Sequence, residues 1–121
     1  MRPYIYKILR EFEWQTVRES AVPYRGSPDD IKDGFIHFST REQLAGTAEK
    51  HFSKEMGIHV LAYSPTIFPL TAIKWEKSRG GVLFPHLYGH IEKNSHTRHW
   101  LMKRTAGDTF DFTCIEEREE K

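Results

Sequence analysis

Apolar and polar positions change their spacing along the chain in a way that separates strands from helices. Tyr4-Ile5-Tyr6-Lys7-Ile8-Leu9 is aromatic and β-branched around one cation, which predicts a strand. Arg10 to Ser20 then carries Phe12, Trp14 and Val17 among charged residues, and a short helix is expected. Val22 to Tyr24 extends briefly. Ser27 before Pro28-Asp29-Asp30 reads as an N-cap with proline at the first helical position, predicting one helical turn that ends at Asp33-Gly34. Phe35-Ile36-His37-Phe38-Ser39 places apolar residues on both faces around His37, the pattern of an interior strand. Thr40 and Gln43 match a capping box, Leu44, Ala48 and Phe52 recur at helical spacing, and Gly57 can stop the last turn. A helix from about Arg41 to Lys54 is predicted.

Strand patterns dominate the second half. Ile58 to Tyr63 is a strand ended by Ser64-Pro65, and Leu70 to Trp75 is another, bounded by Pro69. Glu76 to Gly89 reads as an apolar loop folded back over the core. Thr97 to Met102 and Thr109 to Ile115 are expected to form a terminal hairpin across Ala106-Gly107-Asp108, before a charged tail, Glu116 to Lys121. Strands and helices mix without regular β-α-β alternation, so the predicted fold class is α+β, one domain over residues 1–115 with a tail at 116–121.

Composition narrows the classes of function. A chain of 121 residues suits one domain that buries roughly two thirds of its unfolded surface. Eighteen Lys and Arg against seventeen Asp and Glu give a net charge of +1, so no global field gathers nucleic acid or an anionic membrane. The single cysteine, Cys114, forms no intramolecular disulfide and argues against a cysteine-built zinc site. With no signal-like start and no apolar run long enough to span a bilayer, a reducing cytoplasm is the expected location.

Three short stretches can carry chemistry. His37 and Ser39 share one face of their strand and precede a helix start at Thr40, whose free amides suit an anion; a core histidine bonded to backbone fits the same pattern. Phe84-Pro85-His86-Leu87-Tyr88-Gly89 joins an imidazole to a phenol and apolar anchors, so Phe84 and Tyr88 can stack on a planar ring while His86 meets a polar edge. A loop tucked into the core, with Tyr88 bonding backbone, is the plainer alternative. Glu76, after Trp75, can orient hydroxyls or act as a base, or simply pair with Lys74 or Lys77. Arg79, in Ser78-Arg79-Gly80-Gly81, can clamp a phosphate or lie solvated in a turn. His86 with His90, and His96 with His99, have the spacing of metal ligands without the regular helix or carboxylate partner such a site needs, and no metal is predicted. The basic and aromatic cluster Arg98, His99, Trp100, Lys103 and Arg104 suits a solvated strand edge better than a nucleic-acid contact.

Ile5-Tyr6, Gly34-Phe35-Ile36-His37-Phe38-Ser39-Thr40, Trp75-Glu76 and Phe84-Pro85-His86-Leu87-Tyr88-Gly89 occur in the order seen in the uncharacterised bacterial family called domain of unknown function 952. The chain resembles that family over roughly Tyr4 to Glu92, and the family resembles the ADP-ribosyltransferase fold group. The resemblance implies two small, mostly antiparallel sheets with short flanking helices around a nucleotide cleft lined by His37, Ser39, Glu76, His86 and Tyr88. Lys7 stands where the family commonly has histidine, and keeps a phosphate contact without serving as a neutral imidazole. The implied activity is an NAD-dependent ADP-ribosyl or 2'-phospho transfer, with NAD as substrate. His37, Glu76 and His86 would be catalytic, and Lys7, Ser39, Thr40, Arg79, Phe84 and Tyr88 would bind a small anionic or nucleotide ligand. A non-catalytic nucleotide or small-ligand sensor and a protein-interaction domain are the alternatives.

Overall fold

The computed structural model describes residues 3–115. Its elements are β1 (Ile5–Leu9), α1 (Glu11–Glu19), α2 (Pro28–Asp33), β2 (Ile36–His37), α3 (Leu44–His51), β3 (Gly57–Tyr63), β4 (Ile73–Lys77), β5 (Leu83–Leu87) and β6 (Arg98–Lys103), joined by short 3-10 turns. They form two antiparallel three-stranded sheets, ordered β1-β3-β6 and β2-β5-β4. This is the α+β mixture that the pattern of the sequence predicts.

The two sheets are stitched where β2 runs on towards α3. Tyr6 and Ser39 exchange both backbone bonds at 2.8 Å, so residues 36–39 pair with β5 on one side and reach β1 on the other. Every residue of β1 is buried because the strand has a core on each face. Ile5 and Leu9 join Leu61, Tyr63, Ile36, Phe38 and Leu87 between the sheets. Tyr6 and Ile8 join Val60 and Ala62 beneath Leu44, Ala48 and Phe52 of the α3 region. A strand covered on both sides reads as a near-continuous apolar run, which is how β1 reads. Lys7 lies on the inter-sheet face, with Ile5 and Leu9.

Several expected boundaries move. The helix expected from Arg41 to Lys54 is a 3-10 turn at Arg41–Gln43 followed by α3, which ends at His51; Gly57 opens β3 instead of closing the helix. The carbonyls at its end are capped from outside: Arg10 donates to that of His51 at 2.9 Å, and the Arg104 guanidinium donates to the next two, Phe52 at 3.1 Å and Ser53 at 2.7 Å. The strand expected from Leu70 starts at Ile73, since the Ala72 amide turns back to the Pro69 carbonyl at 2.9 Å. The segment expected to be a loop, Glu76 to Gly89, contains β5, the middle strand of its sheet, with Pro85 inside it. Proline tolerates this place because its carbonyl still accepts from Phe38 at 3.0 Å, and the neighbouring β2 is only two residues long.

The terminal hairpin does not form among the described residues. β6 pairs with β3 from Gly57↔Lys103 to Ala62↔Arg98. Residues 109–115 make turns that bury Phe112 and Ile115 in the second core. The long edge of β3 offers a full ladder to β6, which a local partner of mixed polarity does not match. The expected tail, Glu116 to Lys121, lies outside the described residues.

Candidate functional site

A cleft of about 450 Å³ opens where α2 meets the strand ends of both sheets. Its wall begins with the capping of α2. Ser27 Oγ accepts from the Asp30 amide at 3.2 Å, and the Ser27 amide donates to Asp30 Oδ2 at 3.0 Å. This reciprocal cap aims the Asp30 side chain inwards. Gly26, at φ 118°, passes so close that a β-carbon there would stand 2.4 Å from Cβ of Asp30.

The buried Asp30 carboxylate is the hub of the cleft. Lys7 Nζ lies 2.8 Å from Oδ2, and Oδ1 accepts from the His37 amide at 3.1 Å and from Nδ1 of His37 at 2.6 Å. Burial by itself raises such a carboxyl. The bond from His37, the charge and bond of Lys7 and the Ser27 amide outweigh it, leaving Asp30 far below the ordinary carboxylate range. Asp30 is therefore ionised at neutral pH, and Nδ1 of His37 carries the proton between them. Nε2 of His37 stands 3.1 Å from Asp33 Oδ2, so bonding both carboxylates at once takes the imidazolium form.

His86 is the register partner of His37 across β2 and β5, which places both side chains on one face of the sheet. Their ring centroids are 5.4 Å apart, edge to face. Phe35 stacks on His86 at 4.1 Å. Nδ1 of His86 is 2.8 Å from Glu76 Oε1, which also accepts the Tyr88 hydroxyl at 2.7 Å. These two bonds, Tyr88 first, hold Glu76 below its ordinary value, and the same contact raises the Tyr88 phenol. An ionised Glu76 requires the proton on Nδ1 of His86. The remaining Nε2 is buried, has no hydrogen-bond partner among the described residues, and belongs to a ring that lines the cleft. Two imidazoles thus meet edge to face, each held on Nδ1 by a carboxylate; at His86 that bond fixes the tautomer and leaves Nε2 as the acceptor, while at His37 it holds the ring between Asp30 and Asp33.

The other expected residues divide. Lys7, Ser39 and Phe84 line the cleft with the two histidines. Lys7 is committed to Asp30, and Ser39 Oγ bonds Thr47 Oγ1 at 3.0 Å. Thr40 lies outside the lining, and its amide donates to Gln43 Oε1 at 2.9 Å, so it does not offer itself to an anion. Glu76 and Tyr88 stand behind His86 and outside the lining, where they orient that ring; Tyr88 has Lys74 Nζ over its face at 4.9 Å. Arg79 lies in the 3-10 turn Arg79–Gly81, and its side chain is outside the described structure. Asp30 and Asp33 are the residues that sequence reasoning missed. Ser27-x-x-Asp30 is a capping-box pattern, which marks a helix start and gives no sign that the carboxylate is buried.

The family model described as Protein of unknown function (DUF952) matches residues 8–98. No curated protein matches the chain. Among solved structures, the crystal structure of protein CC0527 from Caulobacter crescentus is similar, at 36% identity over 89% of this chain and 93% of that one, with a TM-score of 0.79. The solution NMR structure of CC0527 gives 38% identity over 88% and 90% of the two chains, with a TM-score of 0.73. With its fold shared and its two histidine segments inside the matched region, this chain belongs to the family of unknown function DUF952.

Proposed function

We propose that the cleft binds a nucleotide-class ligand through an anionic group and that His37 and His86 act on it as proton donor and acceptor, in a reaction of ADP-ribosyl or 2'-phospho transfer type. The observation that carries this reading is the edge-to-face pair of imidazoles, each backed on Nδ1 by a carboxylate, with both rings lining the cleft and Nε2 of His86 left without a partner among the described residues. The mixture of two small antiparallel sheets and short helices agrees with the ADP-ribosyltransferase fold group without being specific to it.

For NAD as substrate, the bond from ribose C1' to nicotinamide breaks, and nicotinamide leaves with the electron pair. An acceptor hydroxyl forms the new bond to C1' and yields its proton to Nε2 of His86. His37, cationic between Asp30 and Asp33, supplies positive charge for the phosphates. Glu76 positions His86 in this scheme and does not touch the ribose.

That last point favours a second reading, a sensor that binds the nucleotide without turnover. A carboxylate engaged by His86 and Tyr88 is not free to orient ribose hydroxyls. One experiment separates the two. Purified protein is titrated with NAD, ADP-ribose and a 2'-phosphorylated nucleotide, and nicotinamide and phosphate release are followed over time. Turnover that falls roughly 100-fold or more in His86→Ala supports the transferase. Saturable binding without turnover selects the sensor, and the absence of both overturns the reading of the cleft.

A further inference from the structure

His37 is bonded by two carboxylates that differ in kind. Asp30 is 1% exposed in its side chain and is fixed by Lys7, the Ser27 amide and the His37 amide. Asp33 is 46% exposed, and among the described residues its carboxylate meets no cation besides Nε2 of His37, at 3.1 Å. It is the last residue of α2, directly before Gly34, whose φ of 87° turns the chain into β2. Nε2 is the nitrogen that a cleft ligand must reach, because Nδ1 is buried against Asp30. Asp33 also lines the cleft.

We infer that Asp33 is a built-in competitor: its carboxylate occupies the position on His37 that a ligand's phosphate takes, and the phosphate binds by displacing it. The inference rests on the reading of the cleft as an anion site and adds the protein group that the ligand's phosphate displaces. Nothing in the inner shell changes on exchange, since Asp30 keeps the proton on Nδ1 and Lys7 keeps Asp30. Inorganic phosphate and the diphosphate of a dinucleotide present acceptor oxygens with more total charge than one carboxylate, so they replace a carboxylate that is half solvated and held by one bond. A neutral nucleoside has no such group and gains nothing from the exchange.

The test compares wild type with Asp33→Asn and Asp33→Ala, titrated with inorganic phosphate, ADP-ribose and adenosine while the imidazole NMR signals of His37 and His86 are followed. Both variants should bind phosphate and ADP-ribose roughly two- to fivefold more tightly, the gain expected from removing one half-exposed ion pair. Adenosine affinity should not change. Before ligand is added, the His37 signals should shift and those of His86 should stay. Phosphate binding that is saturable in wild type but unchanged or weaker in both variants overturns the competitor role and leaves the anion site standing. No phosphate or ADP-ribose binding by any of the three proteins overturns both.

Discussion

Asp30 shows how much one side chain can carry. Four donors converge on its carboxylate, among them a buried ammonium and an imidazole, so removing its charge leaves Lys7 without a counter-ion in the interior. Asp30→Asn should cost about 3–5 kcal/mol in denaturant unfolding, the size typical of a buried pair broken on one side. A loss under ~1 kcal/mol would mean that Lys7 finds water instead. In the sequence, Asp30 looks like a helix-start acid, and its neighbour Asp29 looks the same. Burial separates them, and burial follows from the approach of β1 and β2, which local spacing does not encode. His37 and Ser39 were legible because strand alternation puts their side chains on a definite face, and His86 because it stands between aromatic and apolar anchors in Phe84-Pro85-His86-Leu87-Tyr88-Gly89, read as a loop. The exact partners of each ring were not, since Glu76 and Asp30 reach them from other segments.

At the level of elements, capping and turn chemistry read well and pairing did not. Ser27 and Pro28 start α2 as expected, and Gly34 closes it in the left-handed conformation. Two glycines beside this helix should respond differently to alanine. At Gly34 a β-carbon meets nothing within 4 Å, so Gly34→Ala should cost only the backbone strain, roughly 1–2 kcal/mol. At Gly26 the same strain adds to a 2.4 Å clash with Asp30, so Gly26→Ala should cost more and should also disturb the His37 imidazole signals. Equal losses in melting experiments, with the His37 signals unmoved, would show that α2 slides freely. Strand β5 was missed because a proline in the middle of a sheet is rare, and only the shortness of β2 beside it makes the position tolerable. The end of α3 was misplaced for a related reason, since its carbonyls are met by Arg10 and Arg104, each more than 40 positions away.

Across the whole molecule, acid should act in two stages. Where α1 packs on β3, Trp14 stacks on His99 at 4.2 Å and on His59 at 5.6 Å, and it meets His96 edge-on at 5.7 Å. His59 bonds His99 at 2.8 Å and Glu11 at 2.6 Å. Burial lowers the His96 and His99 imidazoles, and His99 is lowered further by the charges of His59 and His96 despite Glu11. Imidazoles depressed in the folded state take up protons first in the unfolded chain. Their contribution is complete above about pH 6.5 and falls as the pH drops below it. Asp30, depressed by its donors, keeps its contribution above about pH 4 and loses it below. Melting temperature should therefore decline first below about pH 6.5 and again below about pH 4. His96→Phe should reduce the first stage, and Asp30→Asn should remove much of the second. A wild-type profile that is flat between neutral pH and pH ~5 would contradict the first assignment.

Local pattern alone determined the α+β class, the helix α1, the starts of α2 and of the helical turn before α3, the strands β1, β2, β3 and β6, and the two histidine segments, because period, capping and turn propensity act over a few neighbouring residues. Tertiary structure decided the rest: that β6 joins β3, that Pro85 sits in a middle strand, and that two imidazoles meet with a carboxylate behind each. Those outcomes depend on which surfaces from distant segments exclude water together, and that selection is made by the assembled core.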